Sequence, residues 1–367
     1  MPRPVTTRFR PLLAVPFILG LGLATRLTAQ QQVVVPAFAA TEEGNSIHAY
    51  PLSYTQARMQ ILVDATEFGQ LRVISSIALR PDGGGTTSSY AATNVPLKLS
   101  LYQVQASAGL MSTTFASNIG ASTGITVFNG RLNLPAFSVQ YPLPNPWAVK
   151  VSFQAPFALA PQQGNLLVDW ESTDPTYVFS RYNVDAVSYP QSAGSLVTRV
   201  FRDTSCTNLR ADTHAISLTR STGVIGGQID VTSTPVVGGS GKLDIVLLLI
   251  GASNKTAFGN VPLPLSLGAT RPGCSLAIDP LLVLPASPAI PLPQDPTLAG
   301  VQLFFQGFAG DSSTGDWVLS ADAWSLRILD NPPKAQGFQC NFLARYTNQT
   351  SGSMSNGFFY APVLRLN

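Results

Sequence analysis

Apolar and polar residues alternate with a period of two along most of this chain, in short runs closed by Gly, Pro, Asn and Ser. An alternation of that kind puts every second side chain on one face, the pattern of a strand with one buried side. Within residues 96–104, Leu97, Leu99 and Leu101 alternate with Lys98, Ser100 and Tyr102. Within residues 147–153, Trp147, Val149, Val151 and Phe153 alternate with Ala148, Lys150 and Ser152. The same pattern predicts strands over 73–80, 125–134, 166–170, 197–201, 243–250, 275–278, 301–305 and 325–329. One short helical turn is predicted over 56–68, where Arg58, Gln60 and Asp64 are interspersed with Met59, Leu62 and Val63. Many short strands separated by turn signals predict an all-β fold of two β-sandwich, jelly-roll-like domains.

Gly and Ser dominate residues 219–242, with Pro235 ahead of a GGSG run, and this composition predicts a linker. The division it implies is an N-terminal sandwich over 30–220, a C-terminal module over 221–330 and a polar tail over 331–367. Asn331, Pro332 and Pro333 open that tail, and its GFFYAPVLRL ending can add one strand. Ahead of these regions, Arg3, Arg8 and Arg10, an apolar run over 12–23 and a small-residue ending at Ala29 spell a secretory signal peptide over 1–29. Its apolar run is shorter than the roughly 20 residues of a membrane span, so cleavage after Ala29 is expected. The expected location is secreted, periplasmic or cell-surface, with no transmembrane segment after cleavage.

Composition narrows the class further. Hydrophobic residues make up 45% of the chain and charged residues only 11%, against roughly 25% charged in an ordinary soluble domain. Such a chain has enough apolar surface to fold, which argues against disorder. The most apolar internal stretch, 245–251, follows Asp244 and is only about a third of a span, so it reads as a buried strand. A net charge of +3 provides no basic stripe for a phosphate backbone, which argues against nucleic acid as a partner. Three cysteines, Cys206, Cys274 and Cys340, in an exported chain imply one disulfide with one cysteine left over. Cys274 and Cys340 are the candidate pair, with the pairing among the three left open. None lies in a CxxC, and His48 and His214 are the only histidines, so no metal site is assigned through these residues and no cofactor is expected.

Two sets of motifs carry a resemblance. In the second module they are IVLLLIGASN, VPLPLSLGATRPGCSLAIDP, LAGVQLFFQGFA and WVLSADAWSLRIL. In the first they are VPAFAATEEGNS, the RMQ of Arg58 to Gln60, IALRPDG, FASNIGASTGITVFNG and PFALAPQQGNLLVDW. Together they cover most of the mature chain, which resembles exported, two-module β-sandwich proteins of planctomycete bacteria. The resemblance implies export and a β-sandwich, and it supplies no catalytic residues. It also implies a further cysteine near residues 223–227, which this sequence lacks, and that leaves the partner of Cys274 open.

Candidate chemistry is sparse, and no catalytic residue is assigned. Residues 120–124 match a GxSxG nucleophile elbow centred on Ser122, and the chain order would allow Asp169 or Asp185 and then His214 to follow. An elbow needs a helix after its serine, whereas here a strand pattern, ITVFNG, follows. Asp169 and Glu171 lie two apart on one strand face, as paired glycosidase carboxylates might be placed. The GGSGK of 238–242 lacks the leading glycine and the Ser or Thr of a phosphate loop. Residues 311–322, including Asp316, and Asp82 with its three following glycines read as turns first and ion sites second. Tyr50, Tyr54, Tyr90, Tyr177, Tyr182 and Tyr189 lie in loop-like segments where aromatic rings could stack on sugars. Tyr177, Arg181, Tyr182, Asp185 and Tyr189 bring aromatic, basic and acidic groups into one short span and form the candidate recognition surface. The expected function is a non-catalytic secreted or surface protein, structural or binding an extracellular glycan or a surface protein. A secreted polysaccharide hydrolase is the alternative.

Overall fold

The computed structural model describes residues 32–367 except 51, 55, 85–88, 173–180, 191–195, 204–205, 209–210, 219–222, 237–241, 269–270, 272, 287, 332–336, 345–351 and 353–357. The expected signal peptide therefore lies outside the described residues. The chain is all-β, and among the described residues every ladder between strands is antiparallel. No helix among the described residues is long and apolar enough to cross a membrane.

The strands Phe338–Ala344, Ala57–Val63, Asn165–Ser172, Thr93–Val104 and Ile125–Leu134 form one five-stranded sheet in that order. A four-stranded sheet runs Val33–Val35, Leu364–Leu366, Val73–Leu79, Val149–Ala158, and a three-stranded sheet runs Ser46–His48, Val184–Pro190, Phe358–Pro362. Their inward positions meet in one core, where Met59, Ile61, Leu99, Leu101, Val168 and Trp170 of the first sheet face Ile74, Ile77, Val149, Val151, Val184 and Leu364. This is two-layer sandwich packing, in which the buried halves of alternating strands interdigitate.

A second five-stranded sheet has the order Leu196–Arg202, Trp317–Arg327, Gln302–Gly310, Ile245–Gly251, Leu282–Pro285. A smaller sheet of Thr213–Leu218, Gln228–Val236 and Ala289–Pro291 contributes Ile216, Ile229 and Val231, which pack with Val197, Leu248, Phe305 and Leu326 in a second core.

Three expectations change. The turn of helix over 56–68 is the Ala57–Val63 strand followed by a 3-10 turn, Ala65–Phe68. Ala57–Val63 is a central strand packed on both faces, with Met59, Ile61 and Val63 in the main core and Leu62 in a small core with Val104, Met111 and Leu167, so the continuous apolar run loses the period of two that marks a strand. The linker over 219–242 contains the Gln228–Val236 strand, whose Ile229 and Val231 are buried. The tail supplies three strands: Phe338–Ala344 pairs with Ala57–Val63, Phe358–Pro362 with Val184–Pro190, and Leu364–Leu366 with both Val33–Val35 and Val73–Leu79. The ladders also cross the expected boundary at 220/221, because Leu196–Arg202 pairs with Trp317–Arg327. Residues 32–367 form one compact unit.

Candidate functional site

Arg80 is fully buried at the end of the Val73–Leu79 strand, and an arginine there must spend its donors on acceptors nearby. Its Nε donates to Asp185 Oδ2 at 2.6 Å and its Nη1 to the Ala39 carbonyl at 2.8 Å. Its Nη2 reaches Asp185 and the Glu42 carbonyl, and the guanidinium carbon lies 5.2 Å from the centre of the Trp147 ring. Asp185 Oδ1 accepts the Gly44 N–H at 2.9 Å. That contact requires a glycine: a Cβ on residue 44 would stand 2.1 Å from the Ala186 oxygen and 2.3 Å from Asp185 Oδ1.

Glu43 and Asp82 complete the group. Glu43 Oε1 accepts the Gly83 N–H at 2.7 Å. Its Oε2 is buried with no hydrogen-bond partner, and Arg80 Nε stands 3.9 Å away, beyond hydrogen-bond reach. Oxygens of Glu43, Asp82 and Asp185 lie within 4.8 Å of one another. Burial and the neighbouring Asp185 push the Glu43 carboxyl well above the usual carboxylate range. Burial also raises Asp185, against the opposing pull of Arg80.

Asp82 opens this buried group onto a cleft of about 250 Å³ lined by Gly44, Asn45, Ser46, Ile47, Asp82, Gly84, Val197, Thr198, Arg199 and Trp324. One wall is the segment leading into the Ser46–His48 strand, and the other is the Leu196–Arg202 strand with Trp324 beside it. The cleft thus sits where the two sheet systems meet. Arg199 lies over the Trp324 ring at 4.9 Å and pairs with Asp322 at 3.3 Å. The indole N–H of Trp324 is buried with no acceptor.

The span from Tyr177 to Tyr189 is placed differently from its expected role. Tyr177 lies outside the described residues. Arg181 is exposed, but Tyr182, Asp185 and Tyr189 are buried. The Tyr182 hydroxyl donates to the Pro135 carbonyl at 3.2 Å, and its ring packs 5.0 Å from that of Tyr90. Burial pushes both Tyr182 and Tyr189 up to about 12. Asp185 serves Arg80 and Gly44 instead of a ligand at the surface. The cause is the Val184–Pro190 strand, which is paired on both edges and buries nearly every residue it contains.

The candidate disulfide is likewise corrected: Cys206 pairs with Cys274, and Cys340 is a buried free thiol. Cys340 belongs to the strand that joins the first sheet, while Cys206 and Cys274 share a small core with Leu319 and Val318 in the second. His48 Nε2 lies 3.7 Å from Cys340 Sγ. Burial pushes the thiol up and the imidazole down to about 3, so the pair is neutral at pH 7 and carries no thiolate nucleophile.

The remaining candidates have separate partners. Asp169 accepts Arg58 Nε at 3.1 Å, Arg58 Nη2 at 2.7 Å and Gln60 Nε2 at 3.1 Å, while Glu171 stands 3.9 Å from Lys98. His214 is buried and hydrogen-bonds Ser233 Oγ through Nε2 at 2.8 Å. Ser122 follows a short helix, Phe115–Ile119, and precedes the Ile125–Leu134 strand, the reverse of the order an elbow needs. Asp311 caps its own turn by accepting from Ser313 N at 2.8 Å and Thr314 N at 3.3 Å, and the Ser313 bonds hold it down at about 2. Asp316 pairs with Arg271.

Sequence reasoning weighed Asp82 alone and missed Glu43 and Arg80 as its companions. The available signal was charge in a chain only 11% charged: EEGN and LRPDGGG each set ionisable residues beside glycine. No protein-family model matches this sequence, and no protein of curated function matches it significantly.

Proposed function

We propose that this chain is an exported β-sandwich binding protein whose ligand enters the cleft between residues 44–47 and the Leu196–Arg202 strand. The observation that carries the proposal is the cleft's lining, where a half-buried Trp324, the stacked Arg199 and the Asp82 carboxylate converge at the junction of two sheet systems. An aromatic face bordered by a few fixed polar groups is how proteins hold a sugar ring or an anchoring side chain. The volume of about 250 Å³ is below the roughly 300–1,000 Å³ of drug-sized sites, which favours one sugar ring or one side chain over a long polymer segment. The Cys206–Cys274 disulfide supports an oxidising, extracellular or periplasmic compartment.

Polysaccharide hydrolysis through Asp169 and Glu171 has weaker support. Three donors hold Asp169, which leaves it poorly placed to attack a sugar or activate water. The test is retention on a glycan array by wild type, Ile47→Trp and Arg199→Ala. Ile47 is 44% exposed, so Ile47→Trp crowds the cleft without disturbing the core. The expected result is wild-type retention that both variants lose. Hydrolytic turnover lost in Glu171→Gln would overturn the proposal.

A further inference from the structure

The charges on the four-stranded sheet of the first sandwich are all positive. Its strands read VVV, LRL, VISSIAL and VKVSFQAPFA, so Arg365 and Lys150 meet no carboxylate from any of them. Directly paired residues of neighbouring strands share a face, and the register sets Val34, Arg365, Ala78 and Lys150 in one row. Their sequence neighbours Leu364, Leu366, Ile77, Leu79, Val149 and Val151 belong to the core. The row therefore lies on the outer face, with a cation on either side of Ala78, two strand spacings or roughly 9.5 Å apart at the backbone.

Arg365 is held in place. Its guanidinium carbon lies 5.1 Å from the centre of the Trp147 ring, a cation–π contact that positions a flat group. Arg80 lies over the same ring at 5.2 Å, but Asp185 neutralises it. Arg365 has no such carboxylate: its Nε is buried without an acceptor, and no described residue pairs with its charge or with that of Lys150. Burial opposes the Arg365 charge, and a half-buried arginine whose donors meet nothing is stabilised by an anion. A guanidinium fixed in this way matches a planar carboxylate through two parallel N–H···O bonds from its Nη edge.

We propose that Arg365 and Lys150 form an anion-binding site on the outer face of this sheet that takes successive carboxylates of an acidic polysaccharide. Arg365 binds one carboxylate through its Nη edge, and Lys150 meets a neighbouring one as a point charge. A single small anion needs only the arginine, whereas two unpaired cations in one row fit a ligand whose charges repeat. Ser152 and Gln154 continue the Lys150 face along its strand and are exposed. They supply hydroxyl and amide partners for sugar hydroxyls, which favours a polysaccharide over an acidic peptide. The row shares no lining residue with the cleft, so the inference stands whether or not the cleft takes a glycan.

The test is calorimetric titration of the purified full chain with oligogalacturonate at low ionic strength, beside the methyl-esterified oligomer, which keeps the sugars and lacks the charges. Arg365→Gln, Lys150→Gln and Lys255→Gln are run with wild type. Lys255 follows the Ile245–Gly251 strand of the second sheet system, so its variant removes the same charge away from the row. Wild type and Lys255→Gln should bind the charged oligomer alike and the esterified one not at all. Binding should weaken about tenfold in Arg365→Gln and about threefold in Lys150→Gln. Lys150 is exposed, so Lys150→Gln keeps the fold and still decides the matter if Arg365→Gln proves unstable. No binding by wild type, equal binding of the esterified oligomer, undiminished binding in Lys150→Gln, or as great a loss in Lys255→Gln as in Lys150→Gln would each overturn the inference.

Discussion

At the scale of single residues, the junction depends on contacts that tolerate no added atoms. A methyl on Gly44 would collide with the Ala186 carbonyl and with Asp185. Backbone cannot move aside there without breaking the Ser46–His48 ladder, so Gly44→Ala should cost about 1–3 kcal/mol in chemical denaturation. His214 makes a different prediction. Burial lowers it from 6.5 to about 4, so between those values the unfolded chain binds a proton that the folded chain does not. Stability from this residue is therefore complete above pH 6.5 and is lost as pH falls towards 4. Between pH 7 and pH 5, wild type should lose about 2 kcal/mol more than His214→Gln. Denaturation at the two pH values measures this, and equal losses would remove His214 as an acid-sensitive group.

At the scale of elements, the strands were legible wherever one face is buried and the other wet. Pro96 to Val104 and the run around Val149 to Phe153 alternate because they sit at such positions, and they appear as Thr93–Val104 and Val149–Ala158. Ala57–Val63 was not legible as a strand, because burial on both faces removes the alternation. The pairing of the tail was invisible for another reason: Arg365 and Leu366 pair with Ala78 and Ile77, nearly 300 positions away in the chain, and no local pattern encodes a long-range partner. Deleting residues 338–367 should therefore leave Ala57–Val63 and Val73–Leu79 with unpaired edges and yield insoluble or unfolded protein, which expression trials and circular dichroism would show. The disulfide belongs to this scale too. It closes a separation of 68 residues, so Cys206→Ser should lower stability by about 4 kcal/mol. Peptide mapping without reductant should find Cys206 joined to Cys274 and Cys340 alkylated only after unfolding.

At the scale of the whole molecule, the two sheet systems are stitched by strands that sequence order assigns elsewhere, and the cleft lies on that seam. Glu42 pairs with Arg327 across it, Gly84 approaches the Arg199 carbonyl, and Trp324 closes the wall opposite residues 44–47. Of the candidate site, Asp82 and Asp185 were visible in the sequence as single residues, one as a turn and the other as part of a surface. What assembled them was the burial of Arg80, which draws Asp185 inward and away from its expected exposed role. The central claim is that this seam binds a ligand. The most direct measurement is glycan-array retention of the wild-type chain against Ile47→Trp. The structure leads us to expect wild-type binding that Ile47→Trp removes while its circular dichroism spectrum and Tm stay unchanged. Retention equal in the two proteins, or no retention by wild type, would contradict it.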